Sequence, residues 1–328
     1  MTTHSYLVHG LQLDISAEAS VLAALQARLG RFPAGTDARL PQLRFEFCQT
    51  SNPGHPSVAR PAGASRSVLD LELGEVTYYD KTEQFYMNCS DLGRALGDLK
   101  AGRVRVSYLE SNLDSDWFLS HVCFMMPLTE LLKRHGLYMV HAAGLAVAGK
   151  GLLIAGQSGA GKTTLTLSLV RAGFDFLSDD TVFLTPAPGD NGLRMLAFPD
   201  EIDVTEHTAS FFPEIQKLIG KSASAVRSKQ PVCATRVYGV TPCWECAPAV
   251  LLFPQASRSR TSKVTPMLKS EALLQLICNV VLTELRSSQA HLNALAALVR
   301  SCRCYHLQTG RDFDKLPKLL RTLLKQAG

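Results

Sequence analysis

The chain of 328 residues is 46% hydrophobic and 19% charged and carries a formal net charge of +5. This composition suits a soluble globular protein of one large domain or two, with enough apolar side chains for a full core. So mild a charge, with no dense basic stripe, speaks against a nucleic-acid binder, and the most apolar window, around residues 137–155, is broken by His141 and Lys150 and is a poor membrane span.

Residues 1–16, MTTHSYLVHGLQLDIS, have neither the basic n-region nor the apolar h-region of a secretory signal, which predicts a cytoplasmic address. The nine cysteines are then expected to be reduced thiols. Cys243 and Cys246 form a CxxC, and Cys302 and Cys304 a CxC. A zinc ribbon presents two regular CxxC knuckles, so scattered buried thiols are the expectation here.

YLVHGLQLDI and SVLDLELGEVTYY alternate as strands do, and residues 17–29 space their apolar side chains as a helix does. Residues 51–66, SNPGHPSVARPAGASR, read as a surface connection, and RVRVSYL as a further strand. Residues 1–120 hold no chemical motif and are expected to form a mixed α/β module, a candidate for substrate binding. Residues 121–328 are the expected second domain. A helix is predicted over about 115–135, with Gly136 at its C-terminal cap and Pro127 causing a kink or a division into two shorter helices.

LYMVHAAGLAVAGKGLLIAG reads as two strands joined by a turn at 149–151, the second feeding a glycine-rich loop. A helix over 162–172, the strand FDFLS and a hairpin made of TVFLTP, APGDNG and LRMLAFP follow. APAVLLFP is a predicted buried strand. Residues 270–285 and 290–301 are predicted helices, CYHLQTG a late strand, and 317–326 a helix begun by a proline whose missing N–H costs nothing there.

Gly156-Gln157-Ser158-Gly159-Ala160-Gly161-Lys162-Thr163 matches GxxxxGK[ST] without mismatch. Glycines let the backbone turn its N–H groups toward phosphate oxygens, and the following helix adds the positive end of its dipole. Lys162 is expected to reach the β- and γ-phosphates and the Thr163 hydroxyl to ligate Mg²⁺. Gly156, Ser158, Gly159, Ala160, Gly161, Lys162, Thr163 and Thr164 are the predicted nucleotide-binding set.

Asp179 comes 17 positions after Lys162, a distance of one helix, one turn and one strand. If that strand lies in a parallel sheet, Asp179 and Asp180 face the same crevice as the loop. Two carboxylates beside a triphosphate require a cation between them. One is a natural Mg²⁺ ligand and the other is free to take a proton from an attacking hydroxyl. Neighbours on a strand point to opposite faces, so the two are expected to do different work. His141, at the start of the strand pair, is positioned to hydrogen-bond one of them and tune its proton affinity. Lys217, Lys221, Arg227, Lys229 and Arg236 make a basic stretch, read either as a solvated loop or as one closing over phosphate, with Lys229 or Arg236 stabilising transition-state charge.

HAAGLAVAGKGLLIAGQSGAGKTTLTLSLVRAGFDFLSDDTVFL, residues 141–184, resembles the catalytic segment of HPr kinase/phosphorylase and its HPr-kinase-related relatives. In that family a histidine precedes the loop, and an Asp-Asp pair follows it, at similar distances. The resemblance implies an α/β fold built on the P-loop kinase core shared with phosphoenolpyruvate carboxykinase, joined here to the mixed α/β N-terminal module. It implies that His141 lies in the active site, that Asp179 accepts the proton and that Asp180 stands with Thr163 on the metal side. The family proper has Glu where this chain has Thr164, and the Arg- and Gly-rich loop that docks HPr has no counterpart. The layout is closer to kinases found beside peptide natural-product genes, some of which resemble lasso-peptide kinases that phosphorylate a serine of a precursor peptide.

The expected activity is therefore ATP- and Mg²⁺-dependent transfer of the γ-phosphoryl group to a serine or threonine hydroxyl of a peptide or protein. No nucleic-acid or membrane partner is expected, and related kinases often assemble into homo-oligomers. A small-molecule kinase and a nucleotide-dependent switch with the same core are the alternatives. The switch needs an element that senses the γ-phosphate and a residue that positions water, and the sequence identifies neither.

Overall fold

The computed structural model describes residues 1–50, 58–71, 74–89, 92–109, 117–187, 189, 192–219, 229–257 and 259–327. The chain is mixed α/β and divides into two units, Met1–Leu137 with Leu282–Ser288, and Tyr138–Val281 with Gln289–Gly328. No helix among the described residues is long and apolar enough to cross a membrane.

In the first unit, β1 (Thr2–Val8) and β2 (Leu11–Ala17) form a hairpin. Its turn residues His9 and Gly10 both have positive φ, 48° and 80°, the handedness that matches strand twist in a tight hairpin. Helix α1 (Ala19–Leu29) buries Val21, Leu22, Leu25 and Leu29. β3 (Gln42–Thr50) runs parallel to β2. SVLDLELGEVTYY contains the strands β4 (Arg66–Leu71) and β5 (Gly74–Tyr79), paired antiparallel. Gly74 begins β5, and a Cβ there would meet the Asn88 carbonyl oxygen at 2.0 Å. β6 (Gln84–Cys89), β7 (Gly93–Asp98) and β8 (Arg103–Leu109) complete an eight-stranded sheet of order β1-β2-β3-β8-β7-β6-β5-β4.

The helix predicted over 115–135 is divided. Its residues 115 and 116 lie outside the described set, Phe118–Met125 is π-helical, and α2 (Met126–Lys133) is α-helical. Pro127 is the second residue of α2, directly after the π-helical stretch, and has no N–H to donate back to it as Met126 donates to the His121 carbonyl. On α2 the buried Glu130 and Lys133 pair at 2.7 Å. The Lys133 ammonium also donates to the Thr283 hydroxyl at 2.8 Å, and Thr283 donates to Glu130 at 2.7 Å. The Tyr78 hydroxyl donates to the same carboxylate. Each buried charge thus has its partners, the condition under which such a pair is tolerated.

The second unit begins with β9 (Tyr138–Val140), β10 (Ala142–Val147) and β11 (Lys150–Ala155). The β10–β11 turn is Ala148-Gly149, at φ 52° and 76°, one residue earlier than the Gly-Lys-Gly sequence suggests. Then come α3 (Lys162–Arg171), β12 (Asp175–Ser178) and the hairpin β13 (Val182–Pro186) with β14 (Leu193–Ala197). β15 (Ile202–Thr205) pairs with β16 (Lys229–Val232), and short helices α4 (Glu206–Ala209), α5 (Pro213–Gln216) and α6 (Ala234–Tyr238) lie around that ribbon in sequence. The chain continues through β17 (Glu245–Ala256), β18 (Lys263–Pro266), α7 (Lys269–Ile277), α8 (Leu285–Ser301), β19 (Arg303–Thr309) and α9 (Leu316–Gln326). The helix predicted over 270–285 stops at Ile277.

The larger sheet of this unit has nine strands. β10 lies between β11 and β12 and is antiparallel to both, while β17 runs parallel to β11 and to β19. Both faces of β11 are buried: Leu152 and Ile154 pack with Leu165 and Leu169 of α3, and Leu153 and Ala155 with Leu177 and Leu251. Burial on both faces is why this strand reads as a continuous apolar run rather than an alternating one.

Candidate active site

β11 ends at Ala155 and β12 at Ser178, while β10 starts at Ala142. β10 is antiparallel to both neighbours, so its beginning lies beside their ends, in the registers Ala142↔Ala155 and Gly144↔Ser178. The glycine-rich loop after β11, the two aspartates after β12 and His141 just before β10 therefore meet at one end of the sheet. The expected parallel arrangement of β11 beside β12 does not occur, because β10 is inserted between them. The strands still point the same way, being each antiparallel to β10, and so deliver their loops to the same place.

Gly159 and Gly161 have φ of 81° and 92°, and Gly161 is the N-terminal cap of α3. Open space surrounds both, so glycine is required for backbone conformation rather than crowding. Its N-cap being a glycine, α3 has no side-chain cap among the described residues. Lys162 is buried and donates to the carbonyls of Gly156 at 2.8 Å and Gln157 at 3.3 Å. Burial lowers its pKa, opposed by the charges of Asp180 and Asp179. Ser158 is exposed, and Ala160 donates its N–H to the Gln157 carbonyl at 3.2 Å. Thr164 is turned toward the Thr208 hydroxyl of α4, 3.3 Å away.

The adjacent carboxylates have different surroundings. Asp179 is only 3% exposed, and its Oδ2 accepts from the Thr163 hydroxyl at 3.0 Å. Its Oδ1 is buried and makes no hydrogen bond among the described residues. Burial, and then the neighbouring charge of Asp180, push its carboxyl up to about 7, against the pull of Thr163. The Asp180 side chain is 50% exposed, and its Oδ1 lies 3.8 Å from Nε2 of His141, whose own side chain is 48% exposed. Loss of solvent lowers the His141 pKa, and Asp180 opposes that shift.

A divalent ion would meet the Thr163 hydroxyl and an unpaired, buried oxygen of Asp179 here. No group of three or more His, Cys, Asp or Glu among the described residues forms a self-contained metal centre. A donor set this small fits Mg²⁺, which keeps several waters and shares phosphate oxygens rather than sitting in an all-protein cage. Cys246, Cys302 and Cys304 are packed into the apolar cluster that includes Leu251 and Leu298, the environment of buried thiols.

Of the basic stretch, Lys221 and Arg227 lie outside the described residues. Lys229 pairs with Thr205 across the β15–β16 ribbon, and its charge lowers the pKa of both Lys162 and His141. Arg236 sits exposed on α6. Sequence reasoning missed Asn279, which contacts the chain at both His141 and Gly156. A lone asparagine beyond a helix end carries no motif that could have revealed it.

No protein-family model matches this chain, and no curated protein matches it. Among solved structures, a similar one is the HPr(Ser) kinase/phosphatase from Coxiella burnetii, 14% identical, covering 57% of this chain and 94% of that one at a TM-score of 0.30. A likeness at that level carries no weight for activity, and the functional reading stands on the site itself.

Proposed function

We propose that this protein is an ATP- and Mg²⁺-dependent kinase that transfers the γ-phosphoryl group to a serine or threonine hydroxyl of a peptide or protein. The observation that carries the reading is the bond of 3.0 Å from the Thr163 hydroxyl to buried Asp179, formed at the sheet end where exposed Asp180 meets His141. The core is that of a P-loop kinase of the HPr kinase and phosphoenolpyruvate carboxykinase type.

The loop amides and the N-terminus of α3 hold the phosphates, and Lys162 turns from the Gly156 and Gln157 carbonyls to the β- and γ-phosphates. Thr163 and Asp179 would hold Mg²⁺, which when bound would supply positive charge beside the phosphates. A cation there also relieves the buried Asp179 oxygen, whose ionisation is otherwise disfavoured.

The two carboxylates exchange the roles that the family resemblance implies. A general base must be within reach of the acceptor hydroxyl. Asp179 is enclosed and tied to Thr163, whereas Asp180 is open to solvent beside His141. Asp180 takes the hydroxyl proton as the oxygen attacks the γ-phosphorus, and the bond from that phosphorus to the bridging oxygen of ADP breaks. His141 orients Asp180, and Lys229 adds positive charge on the open side. A peptide acceptor accords with the resemblance to kinases found beside peptide natural-product genes.

The test follows the γ-phosphate of labelled ATP in the presence and absence of peptides encoded beside the gene. Label appearing in a peptide, dependent on Lys162, supports the kinase. Label released only as free phosphate, at a rate indifferent to peptide, supports the nucleotide-dependent switch and refutes the kinase.

A further inference from the structure

Asn279 follows α7, is 8% exposed, and bonds to both segments that flank the site. Its backbone carbonyl accepts the N–H of His141 at 2.8 Å. Its side-chain Oδ1 accepts the N–H of Gly156, the first residue of the loop, at 3.3 Å. Its Nδ2 donates to the Gln275 carbonyl at 2.8 Å, and its own N–H donates to Leu276 at 2.8 Å, which anchors it to the end of α7. The orientation of the carboxamide is forced, because a carbonyl on one side accepts only a donor and an N–H on the other only an acceptor.

We propose that Asn279 is a positioning residue for the phosphate loop, holding the loop entrance at Gly156 in the conformation that receives phosphate. The proposal rests on the loop being a nucleotide site. Gly156 has φ 153°, a conformation side chains rarely adopt, and its N–H needs a partner when removed from water. Lys162 holds the carbonyl of the same glycine at 2.8 Å. Once that lysine turns to the β- and γ-phosphates, Asn279 is what keeps Gly156 in place. The backbone carbonyl of the same residue fixes His141, so loop and histidine share one anchor.

The variants separate these contacts. Asn279→Ala keeps the backbone bond to His141 and loses both side-chain bonds. Asn279→Asp keeps an acceptor for Gly156 but sets a second acceptor against the Gln275 carbonyl and brings negative charge toward the phosphates. The full chain and each variant, shown to be folded by circular dichroism at the assay temperature, are titrated with MgADP and with Mg²⁺-tripolyphosphate. Asn279→Ala is expected to weaken both about tenfold, the worth of the one lost bond that reaches the loop, that to the Gly156 N–H. Its KM for ATP rises by a similar factor while kcat stays within about twofold, the pattern of lost uniform binding. Asn279→Asp is weaker again.

Wild-type affinity for both ligands in Asn279→Ala, or a fall in kcat at unchanged KM, overturns the proposal. If the wild-type protein binds neither ligand, the nucleotide reading fails and the proposal with it. If the wild type binds both through Lys162 yet transfers phosphate to no acceptor, only the kinase assignment fails, and the Asn279 binding result still decides this one.

Discussion

Replacing Asp179 with asparagine should stabilise the nucleotide-free protein while removing transfer. The shape of the side chain is kept, and the Asn carbonyl can still accept from Thr163. What disappears is a buried carboxyl pushed from an ordinary 3.8 up to about 7 by burial and by Asp180. The raised pKa means that the folded state binds this proton more tightly than the unfolded chain. Stability from this group is therefore present below the unfolded pKa and falls as pH rises through the window between the two values. Between pH 5 and pH 8 the loss comes to about 2–3 kcal/mol. At about 2–4 °C per kcal/mol for a domain of 150–250 residues, the wild type should lose roughly 5–10 °C more in Tm over that interval than Asp179→Asn. The assay is thermal melting of both proteins in chelator at the two pH values, and the difference between them cancels every group they share. Saturating Mg²⁺-nucleotide should shrink the wild-type pH dependence, since a bound cation draws the carboxyl back down. Equal pH dependence in the two proteins, or a clear loss of stability in Asp179→Asn, would refute the account of Asp179 as an uncompensated buried acid.

Asp180→Asn should leave nucleotide binding near wild type and reduce transfer by about 10²–10⁴-fold, the usual worth of a positioned general base, as read by steady-state kinetics with a phosphorylated product. His141→Gln should lower kcat without abolishing ATP binding, because His141 lies 3.8 Å from Asp180 and orients it rather than holding the nucleotide; an unchanged kcat argues against the pairing. In the first unit, Lys133→Met leaves Glu130 buried without its ammonium partner and should cost about 3–5 kcal/mol in denaturant unfolding. A loss below ~1 kcal/mol would mean that the Tyr78 and Thr283 hydroxyls suffice for that carboxylate.

The parts of the site carried by local sequence were legible before the fold. The spacing from Gly156 to Thr163 marks the loop, and the aspartates that close the next strand mark its acidic companions. Alternation along a strand was the reason to expect unlike surroundings for Asp179 and Asp180, but both lie beyond β12, which ends at Ser178; Asp179 is buried and the Asp180 side chain half-exposed for a reason other than strand alternation. Which of the two would be enclosed was not legible, because it depends on α3 bringing Thr163 over Asp179. The insertion of β10 between β11 and β12 was equally hidden. Strand order is decided by pairing between distant residues, and a hairpin followed by a strand is compatible with several orders. SVLDLELGEVTYY alternates as strands do, but its close packing of Gly74 against the Asn88 carbonyl is a contact between distant residues that alternation does not show. The helix predicted over 270–285 failed for a related reason. Apolar residues continue past Ile277 at Val280 and Val281, but Asn279 bonds to His141 and Gly156 instead of extending a helix.

The central claim is transfer of phosphate to a peptide hydroxyl through the site at Lys162, Thr163, Asp179 and Asp180. Its most direct test is mass spectrometry of peptides encoded beside the gene after incubation with the full chain, ATP and Mg²⁺. The expected result is one added phosphate, localised to a serine or threonine, absent with Lys162→Ala and strongly reduced with Asp180→Asn. Unmodified peptide alongside steady formation of ADP and free phosphate would contradict it.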